Sequence, residues 1–457
     1  MSAIARKNFS RLCRPYQNDA VTFLYEHDEA LLLLRMGGGK TVITVSAAQE
    51  LLRDGVIKNV LVVAPLPVCN NTWRTEYLEW EHTADLDLGI ATGTPTVRKR
   101  VLDARHTITV INYENLQWLA QKYPGRTWDL IVLDEVTRLA RHNGKRYRAL
   151  RPYLERATLR WGLTGSLATA SLEAVFNPVR AIDLGASLGA TIGPFRREFF
   201  TKAQFGYNMI PGSEVQVAGR IEHLCFQPDP KVYASQLPDL VVQRHGYELG
   251  DDIVEVYRDL VNHYVAEVDG EHIDVASAGV LVNKLAACAS GFLYNEEGEP
   301  LWINQDRLSI VLELVTEAAP ESVLVWYWFR ATGDLLRDHG FVDLVETLDD
   351  WNAGRVPIAC CQYRSGSHGL NAQAGGSRQI LMEHSYSQEE REQSIARLHR
   401  QGQSEVCFVH EIVGEIDGVG AIDADILEAQ TNKRGVANAV AKKLLREAGE
   451  PTPEQAT

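Results

Sequence analysis

Short continuous apolar runs recur along the chain at 30–34, 60–64, 108–111, 130–133 and 161–163, and again at 323–326, 358–361, 379–382 and 407–412. Each run is too short to be a helix core. None alternates polar with apolar as a strand with one wet face would, so they predict strands covered on both faces. Between them the apolar positions recur at helical spacing, as over 306–318 and 389–398. Strands alternating with helices predict parallel sheets with crossover helices, here in two α/β units. The stretch between the units is less regular, with Phe205, Tyr207 and Pro211 among glycines, then helical patterns near 252–268 and 276–290. The expected division is therefore 1–185 for a first α/β unit, 186–305 for a connection with a small helical elaboration, and 306–457 for a second α/β unit.

Composition narrows the class. Hydrophobic residues make up 45% and charged residues 23% of 457 positions, which is globular. No apolar run reaches the length of a membrane span. Residues 1–10 are basic without an apolar run, unlike a secretory signal. The seven cysteines are scattered and form no CxxC pair, which argues against a zinc site or disulfide framework and for a reducing, cytoplasmic setting. The formal net charge of -14 argues against a non-specific nucleic-acid coat. Between positions 138 and 160, however, there are eight basic residues and one acidic one, Glu155. A basic stripe on an acidic body suits a grip on a phosphate backbone, and a solvated helix face accounts for the same run.

Three segments carry chemistry. The run ending at Leu34 is followed by Gly37, Gly38, Gly39, Lys40 and Thr41 and then by a helical pattern. Glycines let backbone N–H groups turn inward around phosphate oxygens, and a helix start adds its positive dipole end. Lys40 is placed to reach the β- and γ-phosphates, and Thr41 to hold Mg²⁺. Leu34 stands where the full phosphate-loop pattern has its first glycine. The run at 130–133 ends in Asp134 and Glu135. Strand-end acids face the crevice of a parallel sheet, so Asp134 is the expected Mg²⁺ ligand and Glu135 the expected base for an attacking water. Gln393, Arg397 and Arg400 follow at i, i+4 and i+7, which places them on one face if the helix continues, as a clamp on a γ-phosphate. A solvated basic helix is the bland alternative.

Taken in order, these segments resemble the Swi/Snf-type branch of superfamily two helicases, and in compactness the phage-encoded DEAD-like helicases. Arg14 to Gln17 is similar to the glutamine motif, with Gln17 as adenine reader, and Met36 to Thr41 to motif I. Pro65, followed by Trp73 and Glu76, resembles motif Ia, a DNA-backbone contact. Asn112, Tyr113 and Glu114 stand where the family has a further nucleic-acid element, and Asp134 with Glu135 is similar to motif II. Thr164, Gly165 and Ser166 resemble motif III, which couples hydrolysis to movement. The run at 323–327 resembles motif IV, and Ser365, His368 and Asn371 resemble the nucleic-acid contacts of motif V. The segment 393–403 resembles motif VI, adding Gln393 to the ATP contacts and Arg397 and Arg400 to the catalytic set.

The resemblance implies two tandem RecA-like domains, each a parallel sheet flanked by helices, with ATP in the cleft between them and nucleic acid across both. It implies a nucleic-acid-stimulated ATPase acting as a DNA translocase or helicase. ATP and Mg²⁺ are the implied cofactors. DNA is the implied partner, with other replication, recombination or repair proteins beside it, in a bacterial or phage-infected cytoplasm and away from membranes. Two alternatives stay open. One is a DNA-binding scaffold with a vestigial ATPase, motivated by the departures at Leu34, Ser166 and Ser367. The other is an RNA-directed helicase.

Overall fold

The computed structural model describes residues 7–34, 37–140, 144–165, 167, 172–202, 207–228, 237–263, 265–268, 271–274, 278–366, 370–400 and 402–431. The chain divides into two compact units, Met1–Gln236 and Leu237–Thr457.

In the first unit the strands are β1 (Glu29–Leu33), β2 (Val60–Ala64), β3 (Leu88–Ile90), β4 (Ile108–Asn112), β5 (Leu130–Asp134), β6 (Leu159–Thr164), a small hairpin of β7 (Phe200–Lys202) and β8 (Tyr207–Met209), and β9 (Cys225–Phe226). Seven of them form one sheet in the order β3-β4-β2-β5-β6-β1-β9, with every pairing parallel. Every position of β2, β4, β5 and β6 is buried, which is why these strands read as unbroken apolar runs. Each large aliphatic side chain so buried contributes about 1.5–3 kcal/mol relative to exposure. The two edge strands, β3 and β9, are too short to stand out as apolar runs.

The second unit begins with β10 (Leu240–Glu248). The hairpins β11 (Val265–Val268) with β12 (Glu271–Asp274) and β13 (Phe292–Tyr294) with β14 (Pro300–Trp302) come next. They are followed by β15 (Val323–Tyr327), β16 (Val342–Asp343), β17 (Ile358–Gln362), β18 (Arg378–Leu381), β19 (Cys407–Ile416) and β20 (Val419–Gly420). The order is β10-β19-β18-β15-β17-β16, all parallel, with β20 folded back antiparallel on β19. The molecule thus has the two helix-flanked parallel sheets that the sequence predicts.

The stretch 186–305 is shared between the two units. Phe195, Phe199, Val217 and Leu224 pack into the first unit's core. Leu249, Ile253, Tyr257, Leu285 and Phe292 share a core with Ile422 and Ile426 of the second unit. The nine-residue strand β10 lies inside this stretch and pairs with β19 along its whole length. Its positions are exposed or half-buried throughout, so it shows no apolar run. The helix expected over 252–268 ends at His263, and β11 and β12 replace its last turn, tucking Ala266, Val268 and Ile273 into the core. Valines at 265 and 268 favour that strand, because β-branching restricts χ1 in a helix.

Candidate nucleotide site and its supports

Parallel strands share one C-terminal edge, so the segments after β1 and after β5 emerge on the same side of the first sheet. Only β6 lies between them, and neighbouring strands sit about 4.8 Å apart. The register pairs Leu33 with Thr164 and Asp134 with Leu163. Glycine loop, Thr164 and acid pair therefore stand side by side along one edge. Met36 and Ser166 lie outside the described residues.

The loop turns through Gly37 and Gly39, with φ of 76° and 81°, and Gly39 is the N-cap of the helix Lys40–Arg53. Only glycine enters this left-handed region freely. A Cβ at Gly39 would also lie 2.3 Å from Gln17 Nε2 and displace that amide from the loop. The Gln17 amide donates to the Gly38 carbonyl at 3.3 Å, and its Oε1 accepts from the Arg14 backbone N–H at 2.9 Å. The Tyr16 hydroxyl donates to the same Gly38 carbonyl at 3.1 Å. The glutamine motif thus braces the loop from below, a use of Tyr16 that the sequence does not announce. Lys40 Nζ donates to the Leu34 carbonyl at 3.0 Å, and the Leu34 N–H donates to the Thr164 carbonyl at 3.0 Å. Leu34 itself is buried beneath the loop, so an apolar side chain is accommodated where the consensus has glycine.

Asp134 and Glu135 are both buried. Burial first, and the adjacent Glu135 second, push the Asp134 carboxyl up to about 6, against the opposing pull of the Trp73 hydrogen bond and Lys40. Glu135 is held at φ 53°, a left-handed conformation that is uncommon for a residue with a side chain and stores on the order of 1–3 kcal/mol of strain. Its carbonyl accepts from Arg138 N–H at 2.9 Å, which fixes the turn. Two adjoining carboxyl groups out of water, with a lysine near, favour an added cation. The oxygens on offer, the Asp134 carboxylate and the Thr41 hydroxyl at the start of the helix after the loop, are hard donors of the kind that would suit Mg²⁺. No group of three or more His, Cys, Asp or Glu placed to hold a metal occurs among the described residues. A cation here would therefore complete its shell with phosphate oxygens and water, the usual habit of Mg²⁺.

Several expected nucleic-acid contacts have other duties. Tyr113 is 1% exposed, and its hydroxyl donates to the Asp134 carbonyl at 2.9 Å and toward the Glu135 carbonyl at 3.4 Å. Trp73 is equally buried, and its indole N–H donates to Asp134 Oδ2 at 2.8 Å. Both side chains are engaged inside the fold as supports of the acid pair. Pro65 and Asn112 are also buried, and Asn112 Nδ2 donates to Glu114 Oε2 at 2.9 Å. Ser365 and Asn371, on the second unit, are exposed, and His368 lies outside the described residues. In the basic stripe, Lys145, Arg148 and Arg151 are exposed, whereas Arg160 is buried and donates to the carbonyls of Ile182 and Ala157.

In the second unit the arginine helix is corrected. It runs over Gln388–Ile395 and stops, with Ala396 as C-cap, so Arg397 and Arg400 lie in the turns beyond it and share no helix face with Gln393. Tertiary hydrogen bonds outcompete the helix here. Arg397 is 1% exposed and donates from Nε to the Gln393 carbonyl at 3.0 Å and from Nη1 to the Leu370 carbonyl at 2.9 Å. Arg400 Nη1 donates to the same Leu370 carbonyl at 3.2 Å and also to Asn371 Oδ1. Arg397 and Arg400 thus meet at the Leu370 carbonyl, and Arg397 ties that point back to Gln393. Gln393 is buried, and its Oε1 has no partner among the described residues.

Comparison with known proteins gives matches along the chain. Residues 16–179 match a family model described as the SNF2-related domain. The chain is 28% identical to protein p41 of Acyrthosiphon pisum secondary endosymbiont phage 1, over 95% of this chain and 98% of that one. It is 22% identical to the DNA repair and recombination protein RAD54-like of Drosophila ananassae over 94% of its own length, and spans 63% of that relative. Among solved structures it is similar to the Sulfolobus solfataricus SWI2/SNF2 ATPase core in complex with dsDNA, with 17% identity, a TM-score of 0.46, and coverage of 96% and 97% of the two chains.

Proposed function

We propose that the chain is a member of the Snf2-type branch of the helicase superfamily, a DNA-stimulated ATPase that translocates along DNA. One observation carries the reading. The glycine loop with Lys40 and the buried pair Asp134 and Glu135 stand one strand apart on the same edge of a parallel sheet. The similarity to a DNA repair and recombination protein favours DNA over RNA as the track.

In this reading the N–H groups of Gly37, Gly38 and Gly39 receive the phosphates. Lys40 exchanges the Leu34 carbonyl for β- and γ-phosphate oxygens, so its ammonium stays hydrogen-bonded in either state. Asp134 and Thr41 would hold Mg²⁺, which would supply charge neutralisation on the phosphates. Glu135 orients the attacking water and accepts its proton. Thr164, hydrogen-bonded through its carbonyl to the loop, is the coupling residue with Gly165. Arg400 is the second unit's candidate for stabilising phosphate charge, with Arg397 sharing its Leu370 acceptor as the support beside it. Nucleic acid is met at Ser365 and Asn371, and by the exposed basic residues of the helix Lys145–Leu154.

The test is the ATPase rate with single-stranded, duplex and forked DNA and with RNA. Low basal turnover, strong DNA stimulation that falls as salt rises, and loss of turnover in Lys40→Ala are expected. Turnover that survives Lys40→Ala would refute the site. Stimulation by RNA alone would move the track to RNA, and DNA binding without hydrolysis under any condition would leave a scaffold.

A further inference from the structure

We propose that Trp73 is a positioning residue that sets the orientation of the Asp134 carboxylate, so that one oxygen is tied to the indole and the other is left to the cation. The inference rests on the reading of Asp134 as the Mg²⁺ residue and adds to it a support that comes from outside both nucleotide segments. Trp73 sits in the helix Thr72–Glu79, which comes after β2, and its ring is 1% exposed.

The geometry leaves little choice of role. An indole N–H is a donor only, and here its bond goes to Asp134 Oδ2 at 2.8 Å. Rotation about the last bond of an aspartate side chain is soft and roughly two-fold, so packing alone does not fix which oxygen faces where. One hydrogen bond from a rigid ring fixes it. Tyr113 completes the brace on the backbone side, with its hydroxyl on the carbonyls of Asp134 and Glu135. Side chain and main chain of the acid pair are therefore held by two aromatic residues that reach in from the segments after β2 and β4. Groups that orient a metal ligand without touching the metal are worth about 10–100-fold in metal affinity.

The test uses the full chain and two substitutions at position 73. Trp73→Phe removes the donor and part of the ring. Replacement of Trp73 by 3-benzothienylalanine keeps the shape of the indole and removes only the N–H, and covers the case in which Trp73→Phe does not fold. The readouts are affinity for a fluorescent ADP with and without Mg²⁺, Mn²⁺ binding by electron paramagnetic resonance in the presence of ADP, affinity for duplex DNA without nucleotide, and ATPase rate against Mg²⁺ concentration.

The expected result is a metal affinity about 10–100-fold weaker, with unchanged nucleotide affinity in the absence of metal, unchanged DNA affinity, and turnover recovered at high Mg²⁺. An unchanged metal affinity in the benzothienyl protein overturns the proposal, and so does a loss confined to DNA affinity, which would return Trp73 to a DNA contact. If the wild-type protein itself gains no nucleotide affinity from Mg²⁺, the reading of the site has failed, a result distinct from a silent substitution at position 73.

Discussion

At the scale of single residues, the two arginines of the second unit separate into different kinds of work. Arg397 is sealed in, with its guanidinium on the carbonyls of Gln393 and Leu370. Arg400 is half-buried and shares the Leu370 carbonyl. Charge-assisted hydrogen bonds of this kind contribute roughly 1.5–3 kcal/mol. Arg397→Ala is therefore expected to lower the melting temperature of the second unit by several degrees in the absence of any ligand, as read by calorimetry. Arg400→Ala is expected to lower melting less, because its bonds are half-exposed, and to lower DNA-stimulated turnover by about 10³-fold, the range for a charge on a transferring phosphoryl group. Equal melting losses for both would assign them the same structural role.

Secondary-structure elements bring together groups that are remote in sequence. β10 and β19 pair over nine residues and set His245 against His410, with ring nitrogens 2.9 Å apart. Burial, then His245, then Arg378 on the neighbouring β18 hold His410 down at about 4, below its ordinary 6.5. The sign comes from linkage. Between pH 6.5 and 4 the unfolded chain binds a proton at this position and the folded one does not, so stability present above 6.5 is lost as pH falls through that window. Urea denaturation of the second unit should show this decline, and His410→Asn should flatten it. A slope unaffected by the substitution would place the proton uptake elsewhere.

For the whole molecule, each unit has its own sheet and its own apolar cores. Such a chain is expected to unfold in more than one step. Two transitions should appear in calorimetry, and MgADP should raise the one that belongs to residues 7–228 in the wild type and not in Lys40→Ala. A single transition shifted equally by both proteins would contradict this. No described helix is long and apolar enough to cross a membrane. The -14 net charge is compatible with a DNA track, because Lys145, Arg148 and Arg151 cluster on one exposed helix face while Tyr147, Leu150 and Tyr153 turn inward.

The central strands of both sheets, the glycine loop and the acid pair were legible in the sequence, because each depends on local rules. A strand buried on both faces must be apolar throughout, a phosphate loop needs glycine where φ is positive, and an acid at the end of a parallel strand faces the crevice. Edge strands such as β10 were not legible, because exposure on both faces removes the pattern. Nor were the duties of Trp73, Tyr113 and Arg397. Which buried acceptor a tryptophan, tyrosine or arginine meets depends on contacts 61, 21 and 27 residues away in the chain. A side chain's identity states what it can donate; only the packed fold decides which group is there to accept.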